Sequence, residues 1–319
     1  MKKYYIQQKY YIRKKYKSKD KRNKYFFRKI ILTIPLLLIS FLIKVYQLNK
    51  KQLKICLCAI GKQENLYVKE FVQHYIKLGY NKIFIYDNND VDDERFEDII
   101  QDEIDKGFVS IINYRGYKSP KQLSSYRDCY EKNKKTYNWL SFFDFDEYLE
   151  LKPNGIKIQN FLNNERFNNC QVIKTNWVFY VNNNSLYYDK KPIKERNYTS
   201  IKSDRHIKST VIGNLSFNYW SKAATPHSSR HKLKTCSPSG KRIDYSSSFN
   251  EPPDIKYAFL NHYHFKSFEE YCIKLKRGKP DRHNRNLIKN IKNFYQKNKN
   301  DPNKLNIMNK VFNLTLKIF

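Results

Sequence analysis

Lys54-Ile-Cys-Leu-Cys-Ala-Ile60, followed at once by Gly61, constrains the fold of this chain more than any other segment. A strand with one face in water alternates apolar and polar residues, but here nothing after Lys54 is polar, so both faces must be covered. Such a strand lies inside a parallel sheet with helices on either side. Cys56 and Cys58 then point to the same face, where they read as packing residues.

The alternation of strand and helix continues. Val68, Phe71, Val72, Tyr75 and Leu78 recur at helical spacing, and Gly79 supplies a stop. Lys82-Ile-Phe-Ile-Tyr86 is a second strand that runs into the polar turn Asp87-Asn-Asn-Asp90. Phe96, Ile99, Ile100 and Ile104 mark another amphipathic helix, closed by Gly107 before a third strand over 108–112. Ser119-Pro-Lys-Gln122 opens the next helix, with Ser to cap, Pro in the first turn and Gln to complete a capping box. Its apolar side is Leu123, Tyr126 and Tyr130. Trp139-Leu-Ser-Phe-Phe143 is the fourth strand, and it delivers Asp144-Phe-Asp-Glu147 at its carboxyl end, where open parallel sheets bind ligands. Beyond Pro153 the pattern predicts a helix over 156–166 and an apolar strand over 170–181. Residues 182–253 are polar and turn-rich and read as loops on the acceptor side.

Charge is distributed unevenly. The net +32 divides into +12 for residues 1–29, +9 for 30–273 and +11 for 274–319. Nucleic-acid binding calls for a continuous basic field along the folded domain, and the central region is only mildly basic for its size, so no nucleic-acid partner is expected. Between the basic N-terminus and the first strand lies an uncharged run over 30–43, extendable to Leu48 if Lys44 snorkels. A bilayer core of ~30 Å needs most of that length. The excess of Lys and Arg before the run places residues 1–29 in the cytosol and the rest in the lumen. The expected layout is a cytosolic tail (1–29), a transmembrane signal anchor (30–48), a short stem (49–53), a catalytic domain (54–278) and a basic Lys/Asn-rich tail (279–319). Asn-x-Ser/Thr triplets at Asn183, Asn197, Asn214 and Asn313 agree with a lumenal domain. A lumenal setting also permits disulfides among Cys129, Cys170, Cys236 and Cys272, with the pairing open.

Asp144 and Asp146 carry the chemistry. Two carboxylates one residue apart at a strand tip can reach a single hard divalent cation, Mn²⁺ or Mg²⁺, which can also bridge a diphosphate. A cation there stabilises the charge that builds on a departing nucleoside diphosphate. Asp-x-Asp alone is a weak signal, and Asp87 with Asp90, or Asp92 with Asp93, are equally compatible with solvated turns. The position of Asp144 and Asp146 after an apolar strand sets them apart. His227 and His231 lack the partner ligands of a zinc site.

Cys56-Leu-Cys-Ala-Ile-Gly-Lys-Gln-Glu-Asn65, the second strand with Asp87-Asn88, Tyr126-Arg-Asp-Cys129, Trp139 to Glu147, and Asn261-His-Tyr-His-Phe-Lys-Ser267 stand in an order that resembles family-92-type glycosyltransferases and their family-2-like relatives. The resemblance covers 54–278. It implies a GT-A-type nucleotide-sugar fold, α/β with a mostly parallel central sheet, a nucleotide-diphosphate donor, UDP- or GDP-linked, a Mn²⁺ or Mg²⁺ ion, inversion at the sugar carbon and a glycan acceptor. Matched residue by residue, it implies that Asp144, Asp146 and His262 hold the metal and that Glu64, Asn65, Asp87 and Asp144 contact the nucleotide sugar. Asp146 and Lys266 then act in catalysis, Lys266 as a compact charge against the diphosphate. His264 beside His262 departs from the pattern and leaves open which imidazole reaches the ion. Tyr180-Val-Asn182 replaces a Phe-Gly turn on the acceptor side. Glu195, Asp244 and Glu251 are candidates for the base that single displacement requires. The expected protein is a single-pass type II enzyme of the Golgi or another endomembrane. Two rival readings are an inactive membrane-tethered glycan-binding scaffold on the same fold and a basic membrane- or nucleic-acid-binding protein.

Overall fold

A computed structural model describes residues 53–116, 121–182, 185, 187–196 and 198–277, with Lys310 and Asn313 beyond them. The predicted cytosolic tail, the membrane span and the stem up to residue 52 lie outside the described residues, as do Asn183, Asn197, Ser119 and most of the C-terminal tail. Among the described residues, no helix is long and apolar enough to cross a membrane.

The first half follows the predicted alternation. Strand β1 (Ile55–Gly61) is buried at every position. Its odd residues Ile55, Leu57 and Ala59 join one apolar core, while Cys56, Cys58 and Ile60 face another on the opposite side. Helix α1 (Asn65–Leu78) packs Val68, Phe71, Val72 and Tyr75 into the first core and ends at Gly79, whose φ of 99° is the left-handed conformation of a helix stop. β2 (Lys82–Asp87), α2 (Glu97–Asp105) and β3 (Val109–Asn113) follow. Helix α3 (Lys121–Asn133) then covers the second face with Tyr126, Cys129 and Tyr130, so Cys56 and Cys58 do pack against this helix. β4 (Trp139–Phe142) returns beside β1, and β5 (Glu147–Leu151) leaves the acidic turn.

The second half departs from expectation. After a short helix α4 (Ile158–Leu162) come β6 (Val172–Asn182) and β7 (Tyr198–Ile212), then the short strands β8 (Ala223–Thr225), β9 (Ser228–Ser229) and β10 (Thr235–Cys236), then β11 (Ala258–Phe265) and helix α5 (Phe268–Arg277). The main sheet runs β3-β2-β1-β4-β7-β6-β11-β5, with β10 added on β6. Its β3-β2-β1-β4 part is parallel, but β7 lies antiparallel to both β4 and β6, and β5 antiparallel to β11. With β11 and β10 again parallel to β6, the sheet is mostly parallel as expected, but mixed, since β7 and β5 run against the other strands. The expectation of loops over 182–253 is corrected by β7, a 15-residue strand at the centre of the sheet. Its sequence hides this because it carries Lys208, Ser209 and Thr210 where an apolar strand would carry Val or Ile, and all three are buried. Cys170 and Cys236 form a disulfide that ties the approach to β6 to β10, while Cys129 and Cys272 are buried and not disulfide-bonded.

Candidate active site

The carboxyl ends of β1, β2 and β4 converge at the turn between β4 and β5. The last residue of β1 there is Gly61 because there is no room for a side chain, since a Cβ would lie 2.6 Å from the Phe145 ring. Phe145 in turn is buried, stacked on Phe96 and packed on Phe71. The apolar residue of Asp144-Phe-Asp146 thus anchors the turn, and the two carboxylates project from it.

Their partners differ. Asp144 accepts hydrogen bonds from Lys208 Nζ at 2.7 Å on Oδ2 and from Gln122 Nε2 at 2.9 Å on Oδ1. Its backbone N–H donates to Glu147 Oε2 at 2.9 Å, and Lys208 Nζ stands 3.5 Å from that same oxygen. Lys208 is fully buried between the two acids, which fix both its position and its charge. Burial would raise the Asp144 carboxyl, but the Lys208 ammonium holds it below the ordinary carboxylate range. Glu147 goes the other way. Burial pushes it well above its usual value, and the neighbouring Asp144 and Asp146 add to this against the pull of Lys208.

Asp146 meets the strand that carries Asn261-His-Tyr-His. Tyr263 N–H donates to the Asp146 carbonyl at 2.9 Å, which docks β11 on the turn. His262 Nε2 is 3.6 Å from Asp146 Oδ1. Ligand atoms of Asp146, His262 and His264 all lie within 4.8 Å of one another. The ring of His262 is wedged between Trp177 and Phe179 on β6, and its Nδ1 is buried without a hydrogen-bond partner. One carboxylate oxygen and two imidazole nitrogens, one of them from a ring with a buried nitrogen that lacks a hydrogen-bond partner, fit a divalent cation, and the mixed oxygen–nitrogen set suits Mn²⁺ better than the oxygen-seeking Mg²⁺. Both late histidines enter the group, whereas the Asp144 carboxylate is turned to Lys208 and Gln122. Burial opposes ionisation of Asp146, yet Lys274, His262 and His264 together hold its carboxyl well below the usual range.

The predicted nucleotide-contacting residues line the neighbouring loops. Glu64, just before α1, pairs with Arg277 Nη1 at 2.6 Å, and Lys266 Nζ lies 3.9 Å from its second oxygen. Lys266 also sits 3.2 Å from the centre of the Tyr67 ring, and burial lowers its ammonium to about 8. Asn65 binds the 94–95 loop through its N–H to Glu94 and its amide to the Arg95 carbonyl. Asp87, at the tip of β2, accepts from Arg115 Nε at 2.8 Å and from Asn89 N–H at 2.9 Å. Arg115 goes on to donate to the carbonyls of Asp90 and Glu94, so Asp87 and Arg115 together shape the loop 87–94. The candidate bases are scattered: Glu195 lies in a short 3₁₀ turn, Asp244 accepts from Ser246, and Glu251 faces Arg205 at 3.7 Å on the surface.

Lys208, Gln122, Glu147, Lys274 and Arg277 complete this site, and none was assigned a role in it from the sequence, where Gln122 read as part of a helix cap. For Lys274 and Arg277 a signal existed. Ser267-Phe-Glu-Glu270 is a capping box, realised as Ser267 N–H to Glu270 at 2.8 Å and Glu270 N–H to Ser267 Oγ at 3.1 Å. It announces a helix whose next turns bring Lys274 and Arg277 to the site. Glu270 is further held by Arg196 at 2.8 and 3.1 Å.

The sequence model of glycosyltransferase family 92 matches residues 51–313. The chain belongs to that family. Family 92 proteins of Ricinus communis and Oryza sativa subsp. japonica are 28% and 24% identical over 118 and 116 residues, 37% and 36% of this chain. The chain spans about a fifth of the length of these relatives, 20% and 19%. Among solved structures, S. aureus TarS 1-349 aligns over 83% of this chain and 80% of its own at 8% identity, with a TM-score of 0.34. The Pyrobaculum calidifontis mannosyltransferase PcManGT, in complex with GDP-Man and Mn²⁺, aligns over 40% of this chain and 36% of its own at 7% identity and 0.28. Likeness at that level carries no weight for fold or ligand.

Proposed function

We propose that this family 92 chain is a metal-assisted glycosyltransferase that moves a sugar from a UDP- or GDP-linked donor to a hydroxyl of a glycan or glycoconjugate, with inversion. The observation that carries the reading is the grouping of Asp146, His262 and His264 within 4.8 Å at the ligand-binding end of the sheet. These residues would hold Mn²⁺ or Mg²⁺, with Asp144 beside them on the same turn, and the ion would neutralise the diphosphate as the sugar leaves. The chain's own residues do the rest. Lys266 and Arg277 stand beside Glu64 and supply fixed positive charge for a diphosphate. Asn65 and Asp87 hold the loops against which the nucleoside rests.

A panel of nucleotide sugars, offered with and without oligosaccharide acceptors in Mn²⁺, tests the reading. Release of UDP or GDP from one donor, faster with an acceptor, is expected. A folded protein that releases neither nucleotide from any donor would favour the scaffold reading instead. Placement as a type II protein with a lumenal catalytic domain rests on the charge asymmetry around 30–48 and on the exposure of Asn214, which sits in a turn at φ 58°. Glycosidase-sensitive modification of Asn214 in a membrane-inserting extract is the expected result. Accessibility of that residue to protease from the cytosolic side would remove the placement.

A further inference from the structure

Helix α5 puts an ammonium group inside the cluster just described. Lys274 Nζ lies 2.7 Å from Asp146 Oδ2 and 3.1 Å from His264 Nδ1. It therefore engages two of the three residues that would ligate a divalent cation, and it does so through the lone pairs such a cation needs. The helix is fastened at both ends: Glu270 is clamped by Arg196, Tyr67 and Ser267, and Arg277 donates to the carbonyls of Lys62 and Gln63 as well as to Glu64. Lys274 is thus held at the site by packing across the chain. Its side chain keeps 28% of its surface exposed, against 11% for Asp146, so it has solvent into which it can withdraw.

We infer that Lys274 is a tethered counter-ion that competes with the divalent cation for Asp146 and His264. It neutralises Asp146 while the metal is away, gives up both contacts when the metal arrives, and then stands as a free ammonium beside Lys266 and Arg277, where the donor's phosphates would lie. Metal affinity in the absence of donor is accordingly weakened by Lys274, and metal and nucleotide sugar bind better together than either does alone. This inference rests on the metal-site reading above.

The test is Mn²⁺ binding to the full chain without donor, read from the loss of the free-ion electron paramagnetic resonance signal. Lys274→Met should bind Mn²⁺ at least about tenfold more tightly than the wild type, ~1.4 kcal/mol, since a charge-assisted contact to the ligand carboxylate is gone. Lys274→Arg should stay weak. Equal affinity in wild type and Lys274→Met, with Asp146→Asn weaker than both, overturns the inference and leaves the metal site standing. No Mn²⁺ binding by any of these proteins overturns both. Because Lys274→Met could fold poorly, a second measurement uses the wild type alone. Reductive methylation followed by peptide mass spectrometry should modify Lys274 faster when Mg²⁺ or Mn²⁺ is added, and an unchanged rate overturns the inference.

Discussion

The two halves of the sheet bury different things. In the β3-β2-β1-β4 half the interior is apolar, with β1 wholly enclosed and its side chains alternating between two hydrophobic clusters. In the β7-β6 half polar side chains share the interior with apolar ones, and Lys174, Asn176, Lys208 and Ser209 are all fully buried beside Val172, Ile173, Ile207 and Val211. Lys174 there donates to the carbonyls of Asp244, Tyr245 and Ser247, and Asn176 bonds Asp204, Arg205 and Asn250. The first half offers acids at its strand tips, and the second supplies the cation Lys208 and the late histidines. Stability in the first half comes from removing apolar surface from water, which tolerates exchanges that keep the volume and the apolar character. In the second half apolar burial is joined by paired charges and amides whose removal leaves partners stranded.

The sharpest way to break this comparison is to make equally sized substitutions in both halves. Lys208→Met should cost about 3 kcal/mol in chemical denaturation, because the buried Glu147 and the half-buried Asp144 lose their counter-ion, whereas Leu57→Met on β1 should cost less than about 1.5 kcal/mol. Similar costs for the two would show that burial alone, and not pairing, governs the second half.

Asp146→Asn sharpens the division between folding and chemistry. It should lower turnover by about 100- to 1,000-fold, ~3–4 kcal/mol, while shifting Tm only slightly, since Lys274 is partly exposed and can be rehydrated. Normal turnover by this variant would remove Asp146 from the site.

The pH dependence of stability comes next in size. Burial holds Lys174 and Lys266 each at about 8 in the folded protein, below the usual lysine value near 10.4. The unfolded chain therefore binds more protons between about pH 8 and 10.4, so stability should rise with pH across that window and be lowest on its acid side. The gain from Lys266 is on the order of 2 kcal/mol, and Lys266→Met should flatten the rise in denaturant midpoints measured from pH 7.5 to 10. A profile identical to that of the wild type would show that Lys266 is fully solvated.

The smallest effect concerns the helix that bridges the halves. Ser267→Ala removes the cap of α5 and should cost about 1 kcal/mol, together with a measurable loss of donor affinity as Arg277 loosens from Glu64. No change in either would mean that Arg196 and Glu270 hold the helix unaided.

The sequence by itself determined the parallel half, its helices and their stops, and the placing of Asp144 and Asp146 at the tip of β4, because each of these is written locally, in a short unbroken apolar run or a period of 3.6 residues with a glycine or a polar turn to end it. The Ser267-x-x-Glu270 box was equally legible. Tertiary structure alone decided that β7 is a central strand, that Asp144 faces Lys208 and that Asp146 faces Lys274. The partners in those two pairs lie 64 and 128 residues apart. A buried lysine has no local pattern, since its favourable energy resides wholly in a carboxylate supplied by another part of the chain, and until the sheet is assembled its strand reads as a solvated loop.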